Sequence, residues 1–151
     1  MLEEKVKILN EILVGFRESG YPFNLYEYCG HGIDLHIRQP PLVPGFISGT
    51  FSESRDQLRA CPAINRIYLP DRLQGIGLFK DLVQGLYGFD DVMAVCVTEV
   101  SNPRFRRYLE STTGWNELEH PALPQLLEEL QVDSDFSRHM PKHFYYARPD
   151  D

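Results

Sequence analysis

Six consecutive positions, Val92, Met93, Ala94, Val95, Cys96 and Val97, are all apolar. A strand with no polar alternation is covered on both faces, as the central strands of parallel sheets are. Its surroundings fit that placement. Ile64–Leu69 reads as a strand, Pro70–Gly75 as a glycine-bearing turn, and Ile76, Phe79, Leu82, Val83 and Leu86 as the buried stripe of a helix closed by Gly88. After the apolar run, Asn102 and Pro103 form an N-cap and first-turn pair, opening a helix that carries Phe105, Tyr108 and Leu109 and ends near Gly114. Strand, helix, strand, helix makes a βαβ unit with a right-handed crossover.

The first half has a different rhythm. Leu2, Val6, Leu9, Leu13 and Phe16 recur at helical spacing, and Gly20, Tyr21, Pro22 supply a stop. Ile33, Leu35 and Ile37 then alternate with Asp34, His36 and Arg38, followed by a proline-rich turn and Phe46–Phe51, which predicts antiparallel strands, with another at Leu25–Cys29. Ser52–Leu58 predicts a short helical turn, Leu123–Gln131 a short acidic helix, Asp133–Pro141 a loop and His143–Ala147 a closing strand. With 151 residues, 42% of them hydrophobic, the chain reads as one mixed α/β domain over residues 1–151.

The formal charge of −7 argues against duplex nucleic acid or an anionic membrane as partner and favours a cationic substrate. No apolar run of about 18 residues exists, and the acidic start Met1-Leu2-Glu3-Glu4 is unlike a secretory signal, so a cytoplasmic location is expected. Cys29, Cys61 and Cys96, odd in number and widely spaced, read as thiols. Cys29, His31 and His36, and the pair His139 and His143, lack the ligand count for zinc, so no metal is expected.

The richest chemistry lies in Arg72-Leu73-Gln74-Gly75-Ile76-Gly77, between a strand and a helix. Glycines let backbone amides approach a ligand without a Cβ in the way, and a helix start offers unpaired donors and the positive end of its dipole. Together these suit a phosphate or pyrophosphate. Arg72 would add a charge-assisted contact. A tight turn that merely packs the helix is the bland alternative. No Gly-Lys-Ser or Gly-Lys-Thr follows, and Lys80 stands where a dinucleotide fingerprint has its third glycine.

This turn resembles the cofactor motif of the GCN5-related N-acetyltransferase (GNAT) superfamily: Arg or Gln, two residues, Gly, one residue, then Gly or Ala. Leu69-Pro70 is similar to the end of that family's fourth strand, Val92–Val97 to its fifth, and Asn102 through Trp115 to the segment that follows. The resemblance implies an acyl-CoA N-acyltransferase fold. That fold is a central twisted mixed sheet, antiparallel at its start, with parallel strands four and five splayed, flanked by helices. It also implies transfer of an acetyl or other acyl group from acetyl-CoA to a primary amine, on a small molecule or a protein. The pantetheine arm would pair with Ile67, Tyr68 and Leu69, the pyrophosphate would sit on the amides of Leu73, Gln74, Gly75, Ile76 and Gly77, and Asn102 would approach from the other side.

The resemblance offers Tyr108 as the acid for the leaving thiolate, although Leu109 holds the family's usual offset from Asn102. Glu99 and Glu53 are the carboxylates considered as base, against their ordinary role as solvated side chains. Arg104, Arg106 and Arg107 read as a solvated face or as contacts to cofactor phosphates. The acidic helix around Glu128 and Glu129 reads as a solvated face or, as an addition to the resembled family's minimal fold, as shaping an acceptor pocket or a homodimer contact. A non-catalytic module of the same fold, acting by association, is the alternative function.

Overall fold

The computed structural model describes residues 2–21, 24–39, 59–100, 102–118 and 142–147. Helix α1 (Leu2–Glu18) opens with Glu3 and Glu4 and closes with Arg17, charges that complement its dipole. Its buried stripe is Ile8, Ile12 and Phe16, flanked by the half-buried Leu9 and Leu13. Val6, expected in that stripe, is 57% exposed, so the buried face is rotated toward Ile8 and Ile12.

Strands β1 (Tyr26–Gly30) and β2 (Ile33–Arg38) form a hairpin. Its two-residue turn, His31 and Gly32, takes positive φ at both positions, as the twist of a tight hairpin requires. Strand β3 (Ala63–Tyr68) runs antiparallel to β2. Ile37 pairs with Ile64 and His36 with Arg66, leaving Asn65 as an extra residue, a β-bulge.

A 3-10 turn (Asp71–Leu73) then leads into helix α2 (Leu78–Leu86), strand β4 (Ala94–Val100), helix α3 (Pro103–Ser111) and strands β5 (Trp115–Leu118) and β6 (Lys142–Ala147). The result is a mixed α/β architecture with a six-stranded mixed sheet in the order β1-β2-β3-β4-β6-β5. Among the described strands only β3 and β4 pair in parallel.

The apolar run is covered on both faces from Ala94 to Val97, whereas Met93, ahead of the strand, is 49% exposed. Val95 and Val97 join the main core with Leu35, Ile37, Ile64, Leu82 and Phe144, while Ala94 and Cys96 meet Cys61 and Ala63 in a second cluster. The strand begins two residues later than the run and continues through Val100. Strand β5 has no counterpart in the sequence reading. Helices α1 and α2 approach closely, since a Cβ on Gly85 would stand 2.7 Å from Leu13 Cδ1.

The expected elements at Phe46–Phe51, Ser52–Leu58, Leu123–Gln131 and Asp133–Pro141 lie outside the described residues. Among the described residues no helix is long and apolar enough to cross a membrane.

Candidate functional site

The parallel pairing of β3 and β4 covers two residue pairs, Ala63 with Cys96 and Ile64 with Val97, and then stops. From Asn65 onward β3 keeps its β2 partner, and β4 keeps β6. Backbone groups of β3 that point away from β2 therefore face a gap. A cavity of about 190 Å³ lies in it, lined by Asn65, Ile67, Val97, Thr98 and Asn102 among others. At Ile67, Asn102 and Phe105 it adjoins a larger cavity of about 550 Å³, bounded by Tyr68, Leu69, the glycine turn, the start of α2 and Tyr108.

The glycine turn supplies donors to the larger cavity, though not all those expected. Leu73 N donates to Pro70 O at 2.9 Å and Gln74 N to Asp71 O at 3.2 Å, so these two amides are consumed by the 3-10 turn. Among the described residues the amides of Gly75, Ile76 and Gly77 have no backbone acceptor. Gly77 is the N-cap of α2 with φ 81° and brings no side-chain cap. The first intrahelical bond is Asp81 N to Gly77 O at 2.9 Å. The amides of Leu78, Phe79 and Lys80 precede it and have no partner within the helix. A Cβ built on Gly75, at φ +74°, meets nothing within 4 Å, which places that position against open space. The donor array is thus shifted toward the helix relative to the sequence expectation.

Charge supports the same end of the cavity. Lys80 and Arg104 line it, and the positive end of the α2 dipole points there. From behind, Lys5 Nζ donates to Ile76 O at 3.2 Å and pairs with Asp81 at 2.6 Å. Because a trans peptide sets C=O and the following N–H in opposite directions, holding Ile76 O on the α1 side turns the Gly77 N–H outward.

Arg72 corrects the sequence expectation. Its Nη2 donates to His31 O at 2.8 Å and lies 3.4 Å from Glu4 Oε1, so it ties the β1–β2 turn and α1 to the loop and does not line the cavity. Gln74 Nε2 donates to Leu69 O at 2.9 Å, which occupies one of the carbonyls that the sequence expectation left to a pantetheine arm, just past the end of β3. Ile67, Tyr68, Leu69, Leu73, Gln74, Gly75, Gly77 and Asn102 are brought together around the larger cavity. Ile76 packs toward the core.

Asn102 Oδ1 accepts from Arg104 N at 2.9 Å and Phe105 N at 3.2 Å, so it is an N-cap at the junction of the two cavities. Tyr108 lines the larger cavity and is 42% exposed, whereas Leu109, at the offset usual for the resembled family, is fully buried. The α3 face directed at the cavity is therefore Phe105 and Tyr108, whose rings meet Phe79 edge-on. Trp115 stacks on Phe79 and belongs to that aromatic packing.

Glu99 is a β4 position whose side chain lies outside the described set, as does all of Glu53. Arg106 pairs with Glu110, leaving Arg104 as the member of the arginine trio at the cavity. Cys96 lies in the second core cluster and lines neither cavity, and a hydrogen bond with Cys61 and burial push its thiol above the ordinary range. Among the described residues no group of three metal-ligating side chains exists, and His31 and His36 face Glu11 and Asp34 respectively.

Asn65, Thr98, Phe79 and Phe105 were not expected as lining residues. Asn65, a polar position inside an otherwise readable strand, was the one sequence signal available. No protein-family model matches the chain, and comparison with characterised proteins and with solved structures finds no match.

Proposed function

We propose that this chain binds an acyl-coenzyme A, acetyl-CoA in the simplest case, and transfers the acyl group to a primary amine within an acyl-CoA N-acyltransferase fold. One observation carries the reading: a strand-edge gap and an uncapped helix start open into adjoining cavities. An extended amide-bearing arm pairs with a strand edge, and a diphosphate sits on helix-start amides with Lys80 and Arg104 beside it. The order of the described elements supports the same fold: a helix, an antiparallel hairpin, a parallel pair joined through α2, and β6 inserted between β4 and β5.

Transfer by direct attack asks little of the protein beyond positioning. The amine nitrogen, after losing a proton to water, bonds to the thioester carbon. The nitrogen then gives its second proton to water as the amide forms, the carbon–sulfur bond breaks, and the departing thiolate takes a proton, for which Tyr108, reprotonated from solvent, is the group at hand. The cationic form of the acceptor suits a chain of net charge −7.

Calorimetric titration with acetyl-CoA tests the binding half. Saturable binding is expected, and Gly75→Glu should weaken it at least 100-fold by placing a carboxylate among the diphosphate donors. Normal affinity in that variant would remove the turn from the site. A non-catalytic acyl-CoA-binding module is the second reading, favoured by the lack of any carboxylate or imidazole lining the cavities among the described residues. Thiol release from acetyl-CoA across a panel of primary amines separates the two, because a module binds without turnover.

A further inference from the structure

The inner cavity contains a polar pair in an otherwise mostly apolar gap. Thr98, 2% exposed, donates from Oγ1 to Asn65 Oδ1 at 3.1 Å across the point where β3 and β4 part. Asn65 is the bulged residue of β3, immediately after the last parallel pair, Ile64 with Val97. A bulge re-aims the side chain it carries and is enriched beside active sites. A buried threonine that spends its proton on an amide oxygen fixes the plane of that amide. The two Nδ2 protons then point away from Thr98. Among the described residues Nδ2 has no acceptor, and Asn65 lines the inner cavity with Ile64, Ile67, Val97 and Val100.

We propose that Asn65 Nδ2 donates a hydrogen bond to the acyl carbonyl oxygen of the thioester, and that Thr98 is the residue that positions it. This inference rests on the acyl-CoA reading of the two cavities. A chain lying along the β3 edge from the diphosphate end reaches the inner cavity with its terminal group; of the two side-chain amides that line it, Asn102 sits at the end shared with the larger cavity and caps α3, and Asn65 sits where the strands part. As the amine nitrogen bonds to the carbonyl carbon, the carbonyl π pair moves onto oxygen. It returns when the carbon–sulfur bond breaks and the thiolate leaves with its electron pair. A fixed donor at that oxygen stabilises the charge that develops between those events, and its preorganisation by Thr98 is what makes it effective. Neither step needs an oxidant, a reductant or a metal.

The test uses the full chain with two probes, CoA and acetyl-CoA labelled with ¹³C at the carbonyl. In the wild type the bound carbonyl resonance is expected to move downfield. In Asn65→Leu that displacement is lost and the preference for acetyl-CoA over CoA falls about fivefold, the effect of one neutral hydrogen bond, while affinity for CoA itself is unchanged. Thr98→Val, isosteric with the native residue, reduces the displacement, and Thr98→Ser restores it. A displacement retained in Asn65→Leu overturns the assignment and leaves the cofactor reading standing. Failure of the wild type to bind CoA overturns the cofactor reading and this assignment with it. Should Asn65→Leu not fold, Thr98→Val decides, since an unchanged displacement there removes the pair from the site.

Discussion

Asn102 and Tyr108 show how one side chain's local chemistry and its place in the site come apart. Asn102 was legible as a cap because its neighbour is Pro103 and the backbone dictates the rest: two amides of the first turn of α3 bond to Oδ1. Asn102→Ala should cost about 1 kcal/mol in urea unfolding, the usual worth of such a cap. Tyr108 was a candidate with an uncertain register, and the structure settles the face: Leu109 is fully buried and Tyr108 borders the cavity. If Tyr108 protonates the leaving thiolate, Tyr108→Phe lowers kcat about 100-fold while the affinity for acetyl-CoA holds. Equal kcat in the two proteins would assign the proton to water. Arg72 went the other way. Its type and spacing suited an anion, but a backbone carbonyl from His31 lies within 2.8 Å, an acceptor no local pattern announces.

Helix α2 is readable through its apolar stripe: Leu82, Val83 and Leu86 are buried as expected, while Ile76 precedes the helix, Phe79 is half-buried and Leu78 takes the buried place at the start. Its start was less readable, because the donors left over depend on how the preceding turn closes. The 3-10 turn consumes the amides of Leu73 and Gln74 and leaves those of Gly75 onward. The tether from α1 matters for the same stretch. Lys5→Met removes both the bond to Ile76 O and the pairing with Asp81. Its Nζ is partly buried, so unfolding should show a loss of about 1 kcal/mol. CoA should bind several-fold more weakly as the Ile76–Gly77 peptide loses its anchor, with pantetheine binding unaltered; equal losses for both ligands would point to a general loosening instead. Strand β5 is illegible along the chain for a different reason. Four residues, Trp115-Asn116-Glu117-Leu118, are too short for a periodicity to stand out, and they become a strand by pairing with β6.

Packing of α1 against the hairpin sets an alkaline limit on the folded state. Tyr26 is buried and donates its hydroxyl proton to Ile12 O at 2.9 Å, and burial pushes its pKa from 10 up to about 12. A phenol whose folded value is raised contributes stability that is fully present below the unfolded value and is lost as pH climbs through the folded one. Unfolding free energy should therefore be level up to about pH 9 and decline between pH 10 and 12, by something on the order of 2 kcal/mol for this group. Urea denaturation at pH 8, 10 and 11 reads the slope, and Tyr26→Phe should flatten it in part. A slope identical in that variant would move the titration to other phenols, of which Tyr21 and Tyr28 are also raised, Tyr21 chiefly by burial and Tyr28 by burial and its bond to Glu11.

Periodicity, caps and turn chemistry act between residues a few positions apart, and on that footing α1, the β1–β2 strands, the strand–turn–helix around Gly75, the doubly covered β4 and the capped α3 could all be read along the chain. The gap between β3 and β4 could not be read that way and is expected only through the family resemblance. It arises because β3 remains paired with β2 while β4 remains paired with β6, so the parallel ladder stops after two pairs and the bulge at Asn65 turns its amide toward Thr98. Likewise Lys5 meets Ile76 across 71 positions and Arg72 meets His31 across 41. Such contacts depend on how whole strands and helices stack, and side-chain type alone does not specify which of several acceptors a long cation or an amide will reach.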